Sequence, residues 1–192
     1  MEKSNTQPSE TTISYTVDAD DFCEQNSQAE LLEQIHQRNP AFKITLFIIP
    51  LLCSPQFIRE WQKKDWVELV PHGLLHPDPR ECEHWSYEKS RDYLGMMELI
   101  GLEKGFKAPG WQISDGMYQA LLERGYWVAD QAYNNERRPK DLPAYLLDAP
   151  EKLHYHIGHM GGHNPNEITP YAEFLAKLDG KFRFVSETIC NK

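Results

Sequence analysis

The segment Lys43–Ile49, KITLFII, is the strongest local signal in the chain. It is apolar at nearly every position and rich in β-branched residues. A strand that is apolar on both faces belongs inside a parallel sheet with helices covering each side. Parallel neighbours need a crossover connection, usually a helix, so strand and helix signals should alternate along the chain. They do. Ile13–Val17 reads as a strand, and Ala29–Arg38 as a helix with Leu32, Ile35 and His36 near one face and Ser27 as a candidate cap. Ser54-Pro55 pairs an N-cap with proline at the first helical position and opens a helix to about Lys63. Val67–Val70 is the next strand; Ser86 then caps a helix to about Ile100, ended by Gly101. Phe106–Ala108, Trp127–Ala129, Tyr145–Leu147, Leu153–Ile157 and Phe182–Val185 read as strands. Helices are expected over Asp115–Arg124, behind Ser114, and from Thr169-Pro170 to Gly180. This alternation predicts an α/β fold with a mainly parallel sheet, open or closed into a barrel.

The length, 192 residues, suits one domain, expected over residues 12–192 behind a polar, disordered tail at residues 1–11. The 20 basic residues are outnumbered by 29 acidic ones, for a net charge of −9. That balance argues against nucleic acid and anionic membranes as partners, since both demand clustered Lys and Arg. The longest apolar run, Ile44–Leu52, is broken by Thr45 and Pro50 and falls well short of the roughly 20 residues of a membrane span. The first ten residues lack the apolar stretch of a secretory signal, so a cytoplasmic location is expected. The four cysteines, Cys23, Cys53, Cys82 and Cys190, are widely spaced and are expected to be thiols. Cys82, in a polar loop, reads as an inert one.

In parallel α/β folds, active sites gather at the C-terminal ends of the strands. After the first strand comes Asp18-Ala19-Asp20-Asp21-Phe22. After the Val67 strand comes Pro71-His72-Gly73-Leu74-Leu75-His76-Pro77. Lys107-Ala108-Pro109-Gly110-Trp111 and Asp130 follow the next two strands. His154, His156, His159 and His163 lie on and after the Leu153 strand. Each signal alone has an ordinary structural explanation, because Asp caps turns and histidines pair by chance. Their joint placement on successive strand ends points to a metal site. Two imidazoles and a carboxylate leave open positions on an ion, and a second carboxylate beside them can take a proton from water. Metal-assisted hydrolysis is the chemistry this set suggests.

The order strand–Asp-Asp, His-Gly-x-x-His, Lys-x-Pro-Gly-Trp, Asp after the next strand and a late His resembles the polysaccharide deacetylase (NodB-homology) family, carbohydrate esterase family 4. The resemblance runs from about Ile13 to Val185; Pro71–His76 and Phe106–Asp130 are its most specific parts. It implies a distorted (β/α) barrel of about seven strands that removes acetyl groups from sugars with one divalent metal. Zinc is the default for two His and one Asp, with cobalt or nickel tolerated. It further implies Asp20 as general base and Asp21, His72 and His76 as metal ligands. Lys107 stands where the family usually has an Arg that orients the base, and supplies charge without the bidentate fork. Trp111 would form a wall of the acetyl pocket, and Asp130 would hydrogen-bond and tune the catalytic acid. Four histidines compete for that last role; His156 is favoured, as the strand residue nearer the C-terminal end, with His159 next.

Ala19-Asp20-Asp21-Phe22 is also similar to a motif of YdjC-type sugar deacetylases, which share the general barrel and metal chemistry. Glu81, Glu83 and His84 read as a solvated loop, or as a lid whose His84 displaces His76. The Asp130–Pro143 loop reads equally as plain surface or as a substrate contact. Phe57, Trp61, Trp66, Tyr87 and Tyr93 read as core. The expected function is de-N-acetylation of an amino sugar or related carbohydrate, a short chain favouring a small glycan or chain end. A catalytically weak carbohydrate-binding module and another metal-dependent amide or ester hydrolase are the alternatives.

Overall fold

The computed structural model describes residues 13–25, 28–148, 153–160 and 167–189. Among these residues lie eight strands and six α-helices, in the order β1 (Ser14–Phe22), α1 (Ala29–Arg38), β2 (Ile44–Ile48), α2 (Pro55–Gln62), β3 (Val67–Pro71), α3 (Tyr87–Leu99), β4 (Gly105–Lys107), α4 (Asp115–Glu123), β5 (Trp127–Asp130), β6 (Ala144–Leu146), β7 (His154–His159), α5 (Thr169–Lys177), β8 (Lys181–Arg183) and α6 (Ser186–Ile189). Ser54, Ser86 and Ser114 each accept a backbone N–H from the first turn of α2, α3 and α4, as their positions predict. The proposed Ser27 cap lies outside the described residues. None of the described helices is long and apolar enough to cross a membrane.

All strand pairings are parallel. One sheet has the order β3-β2-β1-β7, with β8 against the start of β1; the other has the order β4-β5-β6. Among the described residues the expected mainly parallel strands form two sheets with two seams between them, and no closed ring of strands is seen. A backbone bond from Glu103 to Leu69 (3.0 Å) joins one seam. A bond between the Thr16 and Tyr145 hydroxyls (2.6 Å) joins the other.

The period-two alternation of the strands sorts their side chains into two populations. Tyr15, Val17, Ala19, Ile44, Leu46, Ile48, Phe106 and Val128 pack into the main core with Leu32, Ile35, Trp61, Leu94, Leu121 and Leu175 of the helices. Trp61, Trp66 and Tyr93 are buried in that core, as their spacing predicts. The opposite row forms a separate cluster of Phe47, Val70, Trp127, Ala129 and Tyr145, closed by Val185. A Cβ at Gly105 would collide with the Trp127 indole, so glycine lets β4 approach this inner cluster. The inner row is polar elsewhere. Thr45 and Glu68 meet Ser186 there, and Asp18, Asp20 and Lys107 are buried as well. This is why β1 runs on to Phe22 rather than ending at Val17. Its acids face polar partners inside the molecule.

Candidate metal and catalytic site

The backbone of β1 is irregular where its acids cluster. Its register shifts between Ala19 and Phe22 against β2, and between Asp18 and Asp20 against β7. Asp21 has φ 57°, in the left-handed region that Asp tolerates better than most residues. In a regular strand, neighbouring side chains point to opposite faces. Here the irregularity lets two consecutive carboxylates serve one site. Asp20 turns to Lys107, while Asp21 turns to His72 and His76 at the end of β3.

Asp21 Oδ1 lies 3.5 Å from His72 Nε2 and 3.4 Å from His76 Nε2. It is buried and makes no hydrogen bond of good geometry among the described residues. Ligand atoms about 2.0–2.1 Å from a tetrahedral ion stand about 3.3–3.4 Å from one another, so the trio fits a divalent cation. His72 donates Nδ1–H to the Lys107 carbonyl at 2.9 Å, which fixes the tautomer and leaves Nε2 for a ligand. Burial alone would raise the Asp21 pKa, but His72 and His76, with His159 beyond, hold it below its ordinary value.

Sequence reasoning missed what shapes this arm. Glu81 accepts the backbone N–H groups of Leu74 (3.0 Å), Leu75 (3.1 Å) and His76 (3.0 Å). Gly73, at φ 65°, provides the turn, and a Cβ there would strike the Glu81 carboxylate. Tyr93 donates its hydroxyl to the Gly73 carbonyl at 2.6 Å. His84, by contrast, is 86% exposed beside Glu83 and leaves His76 in place. The Cys82 thiol is buried and its pKa is pushed up by that burial, as suits an inert group.

Lys107 is buried and reaches two acids of β1. Its Nζ lies 2.6 Å from Asp20 Oδ1 and 3.8 Å from Asp18 Oδ1. The ammonium also lies 4.7 Å from the Phe47 ring centre and 4.5 Å from that of Trp111. Trp111 follows Gly110, and both have positive φ, which folds the Pro109–Trp111 turn against the site.

β7 extends to His159, so His159 as well as His154 and His156 is held by a strand; His163 lies outside the described residues. His156 Nδ1 meets Asp18 Oδ1 at 2.6 Å, and His154 Nε2 meets Asp18 Oδ2. His159 Nε2 is 3.9 Å from Asp20 Oδ2, and its Nδ1 is 3.4 Å from Glu167. Burial works against protonation of His156, but Asp18, with Asp20 adding its charge, raises its pKa above the ordinary value. A cleft of about 330 Å³ opens here, lined by His156, His159, Glu167 and Tyr171 among others.

Asp130, expected beside the acid, is engaged elsewhere. Its carboxylate takes Tyr118 (2.8 Å), Asn134 (2.7 Å), Arg138 (2.8 Å) and the Gln131 N–H (2.8 Å), and contacts no histidine among the described residues. It organises the start of the Asp130–Pro143 loop. The carboxylate that meets His154 and His156 of β7 is Asp18, whose signal was its place two residues before Asp20 on the same strand row.

No family model and no curated protein matches the chain by sequence. Solved structures do match by fold. A family 4 acetyl xylan esterase from Clostridium thermocellum, in complex with a cobalt ion, superposes with a TM-score of 0.61 at 12% identity, covering 91% of this chain and 89% of that one. The Bc1960 peptidoglycan N-acetylglucosamine deacetylase gives a TM-score of 0.60 at 12% identity, covering 93% and 89%. BA3943, a CE4 family pseudoenzyme from Bacillus anthracis, gives 0.58 at 14% identity, covering 93% of this chain and 66% of that one. With a parallel α/β core and Asp20, Asp21, His72 and His76 gathered at its strand ends, the chain has the fold of the carbohydrate esterase family 4 deacetylases and esterases.

Proposed function

We propose that this protein is a metal-dependent deacetylase acting on an acetylated amino sugar or a related carbohydrate. The observation that carries the reading is the buried Oδ1 of Asp21, faced by two imidazole nitrogens at 3.4–3.5 Å and followed across the bulge by a lysine-held Asp20. Asp21, His72 and His76 would hold the ion, zinc by ligand type with cobalt or nickel accepted. Such an ion supplies Lewis acidity toward a water and the acetyl carbonyl.

The remaining work falls to the chain's own groups. Asp20, held in place by Lys107 at 2.6 Å, takes a proton from the attacking water. His156 gives a proton to the departing amine. Trp111, packed over Lys107, walls the acetyl pocket. Asp130 acts at one remove, by holding the loop beneath Trp111 through Asn134, whose amide donates to the Trp111 carbonyl at 3.4 Å. Chain length does not select a small glycan, since neighbours of similar extent are named for xylan and peptidoglycan.

The second reading is a carbohydrate-binding module without turnover. Lysine in place of the fold's usual arginine favours it, as does the similarity to a pseudoenzyme. Acetate release from an N-acetylchitooligosaccharide and from a peptidoglycan fragment, measured with and without added zinc or cobalt, separates the two. Metal-dependent release that is lost in His72→Ala supports the deacetylase. Saturable sugar binding without release at any metal concentration supports the module.

A further inference from the structure

We infer that Asp18 is the positioning residue for His156, taking the part expected of Asp130, and that Lys107 serves the acid arm of the site as well as the base. The inference rests on the deacetylase reading above. Asp18 is wholly buried, so its carboxylate has no water to solvate it. It takes His156 on one oxygen and His154 on the other, with the Lys107 ammonium 3.8 Å from the first. Burial alone would raise its pKa; Lys107 and the two imidazoles outweigh that and keep it ionised.

An imidazole that gives its Nδ1–H to a fixed carboxylate has its tautomer set, and Nε2 is left for the opposite side. The His156 side chain is 35% exposed, on the cleft, so that edge is open to a substrate. His154 cannot share the role. It is 8% exposed, spends Nε2 on Asp18, and sets its ring edge-on to Tyr145 at 5.5 Å. It is a strut that holds Asp18.

Lys107 Nζ stands between the two acids of β1, 2.6 Å from Asp20 Oδ1 and 3.8 Å from Asp18 Oδ1. The groups facing His156 are Asp18 and Asp20 from β1, Lys107 from β4, His154 and His159 from β7, and Glu167 and Tyr171 from the segment entering α5. Asp130 is absent from that set because Tyr118, Asn134 and Arg138 occupy it. A single ammonium shared by two acids on one strand also gives lysine a place here that a flat guanidinium fork would not fill in the same way.

The test uses the full chain loaded with zinc. The pH dependence of acetate release from an N-acetylchitooligosaccharide is compared for wild type, Asp18→Asn and Asp130→Asn. Asp18→Asn is expected to move the alkaline limb down by about one pH unit or more and to lower kcat more than KM, with metal content unchanged. Asp130→Asn is expected to leave that limb in place. The opposite pattern overturns the inference. A second measurement needs no Asp18 variant and no turnover: ¹⁵N-histidine NMR of the wild-type protein, with His156 assigned through His156→Gln. Its neutral form should carry hydrogen on Nδ1; hydrogen on Nε2 overturns the assignment. If no acetate is released at all, the deacetylase reading fails, while the NMR result still decides the Asp18–His156 pair.

Discussion

His72 gives its Nδ1 proton to the main-chain carbonyl of Lys107 at 2.9 Å, while the side chain of the same Lys107 holds Asp20 at 2.6 Å. One residue of β4 thus orients His72 through its backbone and Asp20 through its side chain. The two duties can be separated by mutation. Lys107→Met keeps the carbonyl, so metal content should stay near wild type. It strips Asp18 and Asp20 of their buried counter-charge, which should cost about 3–5 kcal/mol in denaturant unfolding. Loss of metal together with unchanged stability would contradict both halves of this prediction.

The ligand trio should behave as a unit. His72→Ala and His76→Ala should each lower bound metal, measured by elemental analysis, and remove activity in parallel. Full occupancy in both variants would remove the metal assignment.

Asp20 and Asp21 are neighbours with different partners, so their amides should fail differently. Asp20→Asn should retain the metal and lose at least about 10² in turnover, the scale of general-base assistance. Asp21→Asn should lose metal first. The reverse pattern would exchange the two roles.

Glu81 is not one of the proposed metal ligands, yet it gathers the backbone amides of Leu74, Leu75 and His76. Glu81→Ala should weaken metal affinity about 10–100-fold, as loss of an outer hydrogen-bonding partner does elsewhere, with the fold retained by circular dichroism. Unchanged affinity would mean that the loop holds its shape without the carboxylate.

Glu68 sits in the polar end of the inner row with Thr45 and Ser186, and burial lifts its pKa to about 7 from an ordinary 4.5. Between those values the folded protein keeps a proton that the unfolded chain has released. The stability this provides is whole below about pH 4.5 and lost as pH rises through about 7, a span of about 3 kcal/mol. Glu68→Gln should flatten that part of the stability–pH curve and raise the melting temperature above pH 7. A curve as steep as that of wild type would place the titration elsewhere.

Much of this architecture could be read from residue types. The doubly apolar β2 required parallel neighbours, and the serine caps placed three helices to within a residue or two. The site was legible where side-chain chemistry repeats at strand ends, in His72, His76 and the paired acids. Asp18 was not, because an aspartate inside a strand reads as the end of that strand. Only a buried partner, here Lys107 from a segment 87 residues beyond Asp20, makes such a residue stable in mid-sheet. Glu81 was hidden for a related reason: its ligands are backbone amides, which leave no trace in residue identity. The short β4 and β6 were legible as three-residue runs, whereas the way the two sheets meet was not, because it rests on long-range contacts.

The left-handed Asp21 has a consequence for how this scaffold can change over time. Its φ of 57° costs roughly 1–2 kcal/mol for an L-residue. Glycine at that position would relieve the backbone and keep the bulge that shapes β1, at the loss of the carboxylate's attraction to His72 and His76. Asp21→Gly would therefore trade a proposed metal ligand for an easier backbone. At this one position the comfort of the main chain and the proposed chemistry pull in opposite directions.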